Sequence, residues 1–192
     1  EAADLKPVTV ETMASALANI YTINHSETAL LIHLGACWSQ WVLVENGLAV
    51  FDRNLPIGGN HITEDLREKL NLSFSEAEAL KVSCYKEKHL PRETLEVIKQ
   101  SCQNLCNQIQ HTLNLCTRKS PDTQIEKIFI SGGTSKIIPL REWIAEATGI
   151  ETHHLKAFSA IQYDSKKWDQ NLIEEMEAIA PIALGLATRS TA

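Results

Sequence analysis

Hydrophobic and polar residues follow two different periods in the amino-terminal part of the chain. Apolar residues three or four apart over residues 9–21, among them Met13, Leu17, Ile20 and Tyr21, predict a helix. Residues 29–34 form a continuous apolar run, which is typical of a buried strand. Strand patterns continue at residues 41–44 and 48–51. The dipeptide Asn46-Gly47 between them predicts a type I′ hairpin, and therefore an antiparallel meander that ends at Gly58-Gly59.

Residues 60–120 carry mainly the helical period. A first helix is predicted over about residues 62–70. Ser75, with Glu78 three residues later, has the spacing of a capping box and predicts the start of a second helix. Pro91 suits the first turn of a third, long helix that runs to about Thr117. The apolar residues of this helix fall on one stripe, which predicts one buried face: Leu95, Ile98, Cys102, Leu105, Cys106, Ile109, Leu113 and Cys116.

Strands and helices alternate again after a break at Ser120-Pro121-Asp122. A strand is predicted at 125–130, a sharp turn at 131–134, a helix at 139–148 closed by Gly149, and a short strand at 151–155. A poorly patterned stretch extends to Asp169, and two final helical segments meet at Pro181. The fold class is therefore α/β, a mixed sheet flanked by helices. Residues 1–59 and 121–192 are predicted to form its core, and residues 60–120 a mainly helical inserted subdomain.

Composition excludes several classes of protein. The 192 residues are 44% hydrophobic and 22% charged with a net charge of −6, which fits a globular protein and disfavours a nucleic-acid binder. The longest apolar run, residues 28–37, is too short to cross a bilayer, and no signal peptide is visible. Five cysteines without regular spacing favour a reducing cytosol over a disulfide framework. Because the first residue is Glu1, we expect a fragment whose missing amino-terminal part holds half of any active site.

Two strands end in glycine-containing turns, at residues 31–36 and 128–134. Glycine at such a turn lets backbone N–H groups approach a phosphate or a ribose without obstruction by a Cβ atom. The alternative is that each is only a tight turn. The order of both turns along the chain, with Gly58-Gly59 and the Glu78/Lys81 helix between them, favours a ligand site.

These motifs together resemble the type IV pilus assembly protein PilM family, actin-like ATPases related to the division protein FtsA. The resemblance covers nearly the whole chain and is carried by motifs in the family's order: Val10-Glu11, Ala18-Asn19, His33-Leu34-Gly35-Ala36, Ser39, Asn46-Gly47, Arg53, Gly58-Gly59, Ala77-Glu78 with Lys81, Ser131-Gly132-Gly133 and Gly185-Leu186-Ala187-Thr188-Arg189. It implies an actin-like, ribonuclease H-like second lobe, preceded in the natural protein by a first lobe.

The resemblance also implies a nucleotide site in the cleft between the lobes, with ATP and Mg²⁺ as its ligands. Gly35, Ala36 and Ser39 would line a phosphate loop. Gly58, Gly59, Glu78 and Lys81 would lie near the ribose and base, and Gly132-Gly133 would form the adenosine turn. The sequence departs from the family at His33, where the family has an Asp that organises Mg²⁺, and Trp38 and Gln40 are bulky for such a loop. Imidazole is a poor Mg²⁺ ligand, so His33 is expected to be a core residue hydrogen-bonded to a neighbour.

Several of these residues have simpler interpretations. Glu78 could serve as the capping partner of Ser75, and Lys81 is expected to be a solvated surface charge. Cys102, Cys106 and Cys116 are expected to be small core residues because they share the apolar phase of their helix. His153-His154 are neighbours on a strand and point to opposite faces, so they are poorly placed to share a metal.

The implied function is a scaffold in the inner-membrane platform of a type IV pilus or a related type II secretion machine. The resemblance places it in the cytoplasm, at the membrane only through a partner, the cytoplasmic tail of a PilN-like protein. The loss of Asp at position 33 argues against an enzyme and for nucleotide binding without hydrolysis. The alternatives are an active ATPase or kinase of the same fold, and an interaction module that needs no nucleotide.

Overall fold

The computed structural model describes residues 9–85, 91–119, 123–164 and 167–188. Its centre is one five-stranded sheet. The strands are β1 (Ala29–Leu34), β2 (Ser39–Glu45), β3 (Leu48–Leu55), β4 (Lys127–Ser131) and β5 (Thr152–His154). They lie side by side in the order β3-β2-β1-β4-β5.

The sheet is mixed, as the sequence predicts. The pairs β1–β2 and β2–β3 are antiparallel and form the predicted meander. The pairs β1–β4 and β4–β5 are parallel. The backbone φ angles of Asn46 and Gly47 are 50° and 78°, and positive values at both positions are what a type I′ turn requires. Since β1 and β4 are parallel neighbours, their carboxyl ends meet at the same edge of the sheet.

Helices cover both faces of the sheet. In chain order they are α1 (Met13–Thr22), α2 (Gly59–Lys69), α3 (Phe74–Ser83), α4 (Arg92–Lys119), α5 (Leu140–Thr148), α6 (Gln170–Glu177) and α7 (Pro181–Ala187). Helix α1 packs against α7, and its buried side chains Leu17, Ile20 and Tyr21 join Leu31 and Val42 of the sheet in one apolar cluster. The helices α2, α4 and α5 contribute to a second cluster on the opposite face.

The long helix α4 has the predicted buried stripe. Ile98, Cys102, Leu105, Cys106, Ile109 and Cys116 are buried, whereas Leu95 lies near the surface. The prediction that the cysteines are core residues is therefore confirmed for this helix, and no disulfide links any of the five described cysteines. The expected break at residues 120–122 lies outside the described residues. No helix in the described ranges is both long and apolar enough to span a bilayer.

Two helix starts differ from the predictions. Helix α2 begins at Gly59, three residues before the predicted position, because the turn after β1 supplies acceptors for its first amides. Helix α3 is capped by Ser73, whose backbone N–H and hydroxyl both donate to Glu76. The predicted capping box at Ser75 and Glu78 is therefore wrong. The division of the chain into a sheet core and a helical insert stays a prediction.

Candidate functional site

Three turns converge at the carboxyl ends of β1 and β4. The first follows β1 at Gly35, the second precedes α2 at Gly58-Gly59, and the third follows β4 at Gly132-Gly133. The Gly35 carbonyl joins all three, because it accepts hydrogen bonds from the Gly59 N–H and from the Thr134 hydroxyl, each at 2.9 Å. The Asn60 N–H donates to the Ala36 carbonyl at 2.8 Å. The predicted glycine positions are thus brought together as one junction.

Close backbone approach explains three of these glycines, and a Cβ atom at Gly35 would lie 2.7 Å from the Trp38 carbonyl oxygen. A Cβ atom at Gly58 would lie well under 3.0 Å from the carbonyl groups of Gly35 and Ala36. One at Gly132 would collide with the backbone of Leu34, and the φ of Gly132 is +87°, a conformation that favours glycine. Gly133 is different, because a Cβ there would meet nothing within 4 Å. Packing therefore requires Gly35, Gly58 and Gly132, whereas Gly133 faces open space.

Lys81 lies at one end of this junction and is buried, with 3% of its surface exposed. Its ammonium group donates to Glu78 Oε2 at 2.7 Å, to Thr63 Oγ1 at 2.9 Å and to the Gly59 carbonyl at 3.2 Å. An ammonium group has three protons, so these three acceptors account for all of them. The prediction that Lys81 is a solvated surface charge is wrong. Lys81 instead ties α3 to the first turn of α2.

Glu78 shares this network but remains partly accessible. Its Oε2 also accepts a hydrogen bond from the Thr63 hydroxyl at 2.6 Å. Burial by itself would raise the pKa of Glu78, but hydrogen bonds from Lys81 and Thr63 outweigh it and hold the pKa below its usual value. The side chain is 38% exposed, so an ionised carboxylate faces solvent beside the glycine junction. We call Thr63, Glu78, Lys81 and Gly133 the nucleoside end of the site.

The opposite end contains a cavity of about 400 Å³ that we call the phosphate end. It is lined by Met13, His33, Gly35, Ala36, Cys37, Trp38, Gln40, Asn54 and Ile182. A hydrogen bond of 3.0 Å joins His33 Nδ1 to the hydroxyl of Ser131, its register partner on β4. Burial lowers the pKa of His33 to about 4, so the imidazole is neutral near pH 7. His33 is thus hydrogen-bonded to a neighbour, as expected, but it also lines a cavity.

A hydrogen bond within the turn after β1 joins its first and last residues. The Gly35 N–H donates to the Trp38 carbonyl at 3.0 Å, and the Trp38 side chain is 55% exposed at the cavity. Ser39 is fully buried, and its hydroxyl donates to the carbonyl of Ile57. The Ser39 hydroxyl thus holds the segment that precedes α2. The assignment of Ser39 to a phosphate loop stays a prediction.

A second cavity, of about 900 Å³, adjoins the nucleoside end. It lies among α3, α5 and α6, and its lining includes Val82 of α3, Tyr85 just after this helix, and Lys136. The lining also includes Ala178, whose carbonyl accepts a hydrogen bond from the Gly132 N–H. The cavity is therefore near Gly132, although neither Gly132 nor Gly133 is among its described lining residues, and it is bounded by both apolar and charged side chains.

The resemblance implies two ligands, a nucleotide and Mg²⁺, and the described residues suit the first better than the second. A nucleoside fits, because the exposed carboxylate of Glu78 can accept hydrogen bonds from ribose hydroxyls and Gly133 leaves open space. Magnesium does not fit this lobe as described, because none of the described residues that line the phosphate end is a carboxylate, and this ion prefers carboxylate and phosphate oxygens. Within the described ranges, no cluster of three or more His, Cys, Asp or Glu side chains is arranged to hold a metal ion.

Sequence reasoning gave no role to the side chains of three polar residues of the site: Thr63, Ser131 and Thr134. Thr63 lies one helical turn after Gly59, so its position on the inner face of α2 could have been found if the helix start had been placed correctly. Ser131 and Thr134 flank the Gly132-Gly133 pair. Their partners, His33 and Gly35, lie 98 and 99 residues away in the sequence, and no local signal indicates such contacts.

Known proteins match the chain along almost its whole length. A family model described as type IV pilus assembly protein PilM matches residues 1–191. Among solved structures, the chain is similar to one in a PilM-PilN type IV pilus biogenesis complex, with a TM-score of 0.78, 20% identity and coverage of 96% of this chain and 53% of that chain.

Two further structures are more distant. The chain is similar to the ethanolamine utilization protein EutJ from Carboxydothermus hydrogenoformans, with a TM-score of 0.62, 16% identity and coverage of 89% of this chain and 53% of that chain. It is also similar to MreB 5 of Spiroplasma citri bound to AMPPNP, with a TM-score of 0.64, 16% identity and coverage of 95% and 59%. These likenesses confirm the predicted actin-like fold. The chain spans about half the length of the structures that it matches.

Proposed function

We propose that this chain, which belongs to the type IV pilus assembly protein PilM family, is part of an actin-like scaffold in a type IV pilus assembly platform. The match of the family model over residues 1–191 is the observation that carries the proposal. The scaffold works in the cytoplasm and reaches the inner membrane through a partner protein. Because the chain spans about half the length of its structural relatives, the scaffold function is proposed for a complete two-lobed protein and not for this lobe alone.

The proposed partner is the short cytoplasmic tail of a PilN-like membrane protein. A structural relative of this chain was solved in a PilM-PilN complex, and family membership makes the same class of partner the first one to test. The described part of this chain contributes the lobe that holds the nucleotide. Its role is to keep the longer protein in a shape that can accept the tail.

Nucleotide is proposed to bind at the three-turn junction and to remain unhydrolysed. The nucleoside end supports binding, since it combines an exposed carboxylate with open space at Gly133. The phosphate end argues against an ATPase or kinase, because catalysis of phosphoryl transfer depends on positioned metal ions and charged groups. At the position where the resemblance implies an Asp, this chain has His33, whose imidazole is neutral near pH 7 because burial lowers its pKa.

Calorimetric titration of the full-length protein with a PilN-like tail peptide tests the scaffold proposal. We expect saturable binding of the peptide, no binding of a scrambled peptide, and no release of phosphate from ATP above the protein-free rate. Absence of peptide binding would overturn the scaffold. Phosphate release at a rate that depends on protein concentration would favour the ATPase alternative. If ATP does not raise the unfolding temperature, the module without nucleotide is favoured, since a ligand of the native state stabilises it.

A further inference from the structure

We propose that Asn46 is a site of spontaneous covalent modification, at which the side-chain amide is lost and the residue becomes aspartate or isoaspartate. Asn46 and Gly47 form the turn between β2 and β3, and the chain contains no second Asn-Gly pair. This chemistry needs neither a nucleotide nor a partner protein, so it is independent of the proposed scaffold function.

The reaction is an attack of the main chain on its own side chain. The Gly47 nitrogen gives its proton to hydroxide and forms a bond to Cγ of Asn46, while the bond from Cγ to Nδ2 breaks. Nδ2 takes a proton from water and leaves as ammonia, and a cyclic imide remains. Water then opens this ring at either carbonyl and leaves aspartate, or isoaspartate in which the main chain runs through Cγ. Only water is consumed and only ammonia is released.

The Gly47 nitrogen is an accessible nucleophile. Asn46 and Gly47 are both exposed, and glycine has no side chain to obstruct the approach of its nitrogen to Cγ. A type I′ turn is closed by a hydrogen bond between its first and fourth residues, which leaves the N–H of the third residue free. Within the described part of the chain, the Gly47 N–H accordingly has no hydrogen-bond partner.

Asn71 shows what the Asn-Gly pair adds. It is also exposed, and its φ of 53° is close to the 50° of Asn46. The residue that follows it is Leu72, whose branched side chain obstructs the attack. The Leu72 N–H also donates to the Arg67 carbonyl at 3.0 Å. Exposure and backbone conformation are therefore matched at the two asparagines, and the nucleophile differs.

The turn geometry slows the reaction without preventing it. An ideal type I′ turn sets ψ of its first central residue to about +30°, and ring closure requires rotation about this bond to bring the Gly47 nitrogen to Cγ. The turn lies at a free edge of the sheet, since β3 pairs with β2 alone among the described strands. Such an edge hairpin can open locally while the rest of the sheet stays folded.

The two products change the hairpin differently. Aspartate adds a negative charge beside Glu45 but keeps the length of the main chain, and Asp-Gly is itself a preferred type I′ pair. Isoaspartate puts an extra carbon atom into the main chain of the turn, and the length of a hairpin turn fixes the register of its strands. Because the described pairing of β3 is to β2 alone, isoaspartate is expected to weaken the attachment of β3 to the sheet.

Incubation of the full-length protein at mildly alkaline pH, followed by peptide mapping with mass spectrometry, tests for the modification. We expect Asn46 to convert at least about tenfold faster than Asn71, at a rate that rises with pH because the attacking nitrogen must lose its proton. Conversion of Asn46 no faster than that of Asn71 would overturn the proposal.

Asn46→Gly is the matched control, because Gly-Gly suits the same turn and has no side-chain amide. Ion-exchange chromatography of the incubated natural protein should show an acidic species that the variant does not form. An acidic species that forms equally fast in the variant would place the modification elsewhere and overturn the assignment to Asn46.

Asn46→Asp separates the added charge from the longer main chain. Hydrogen exchange over β3 should be the same in this variant as in the unmodified protein. In the purified isoaspartate fraction, exchange over β3 should be at least about tenfold faster. Equal exchange in all three samples would overturn the expected weakening of β3, and faster exchange in Asn46→Asp would assign the effect to charge.

Discussion

The two ends of the candidate site differ in how their polar groups are used. At the nucleoside end, an ammonium, a carboxylate and a hydroxyl from α2 and α3 form a closed hydrogen-bond network around Lys81. At the phosphate end, a neutral imidazole and a serine hydroxyl form one hydrogen bond beside a cavity. The network around Lys81 stabilises ionised groups, whereas the hydrogen bond between His33 and Ser131 joins two neutral groups. In the proposed nucleotide site, the end near Glu78 would orient the nucleoside, and the end near His33 presents neutral groups.

The connection between the two ends depends on Gly58, so Gly58→Ala is expected to lower stability strongly. A Cβ atom there would collide with the carbonyls of Gly35 and Ala36, which are backbone atoms that cannot turn away. We expect a loss of about 4 kcal/mol in the free energy of unfolding, measured by urea denaturation. Gly133→Ala is the control, because its Cβ would meet nothing within 4 Å, and it is expected to change stability by less than about 0.5 kcal/mol. Equal effects of both variants would contradict this explanation.

Lys81→Met tests whether the nucleoside end is a structural network. The substitution removes a buried ammonium together with its hydrogen bonds to Glu78, Thr63 and the Gly59 carbonyl, and leaves Glu78 with the Thr63 hydroxyl as its described donor. We expect a loss of about 2 kcal/mol in urea denaturation without any nucleotide, since buried acceptors lose a hydrogen-bond donor and the partly exposed Glu78 loses its ion-pair partner. Lys156→Met, on an exposed residue, should cost less than about 0.5 kcal/mol. If Lys81→Met weakened only nucleotide affinity and left the apo protein as stable as before, Lys81 would be a ligand-binding residue instead.

The fold was predictable from the sequence where the signals are local. The Asn46-Gly47 turn, the apolar run of β1 and the stripe of α4 each depend on residues that are near one another in the chain. The positions of the glycine turns were also predictable. Their convergence followed from parallel strands, which bring the carboxyl ends of β1 and β4 to one edge.

The errors concern contacts between distant segments. The burial of Lys81 depends on acceptors 18 and 22 residues earlier in the chain, on the first turn of α2. That turn was itself missed, because its amides are paired with the loop after β1 and not with a capping side chain of their own. A lysine in a predicted helix gives no indication of such partners.

The stability of the phosphate end should depend on pH through His33. Burial lowers the pKa of His33 to about 4 in the folded protein, against 6.5 for an ordinary histidine. Between these values the unfolded chain binds a proton that the folded protein does not, so the free energy of unfolding falls as the pH drops from 6.5 toward 4. We expect His33 to account for a loss of about 2 kcal/mol over this range.

Comparison with His33→Asn isolates this contribution from the other histidines. The variant can still hydrogen-bond to Ser131 but does not titrate, so its stability should fall less between pH 6.5 and pH 4. Urea denaturation of both proteins at several pH values measures the difference. Parallel curves would mean that His33 becomes protonated in the folded protein as easily as in the unfolded chain, and the phosphate end would then not be neutral at low pH.

The smallest expected effect on the free energy of unfolding comes from the amino-terminal cap of α3. Because Ser73 provides this cap, Glu78 can pair with Lys81 at the nucleoside end. Both Ser73 and Ser75 have a glutamate three residues later, so sequence alone allows either capping box. Ser73→Ala should cost about 1 kcal/mol in urea denaturation, because it removes the acceptor for the Glu76 N–H. Ser75→Ala, within the exposed first turn of α3, should cost less than about 0.3 kcal/mol. The reverse order would place the cap at Ser75 and draw Glu78 away from Lys81, and the ionised network would then lose its carboxylate.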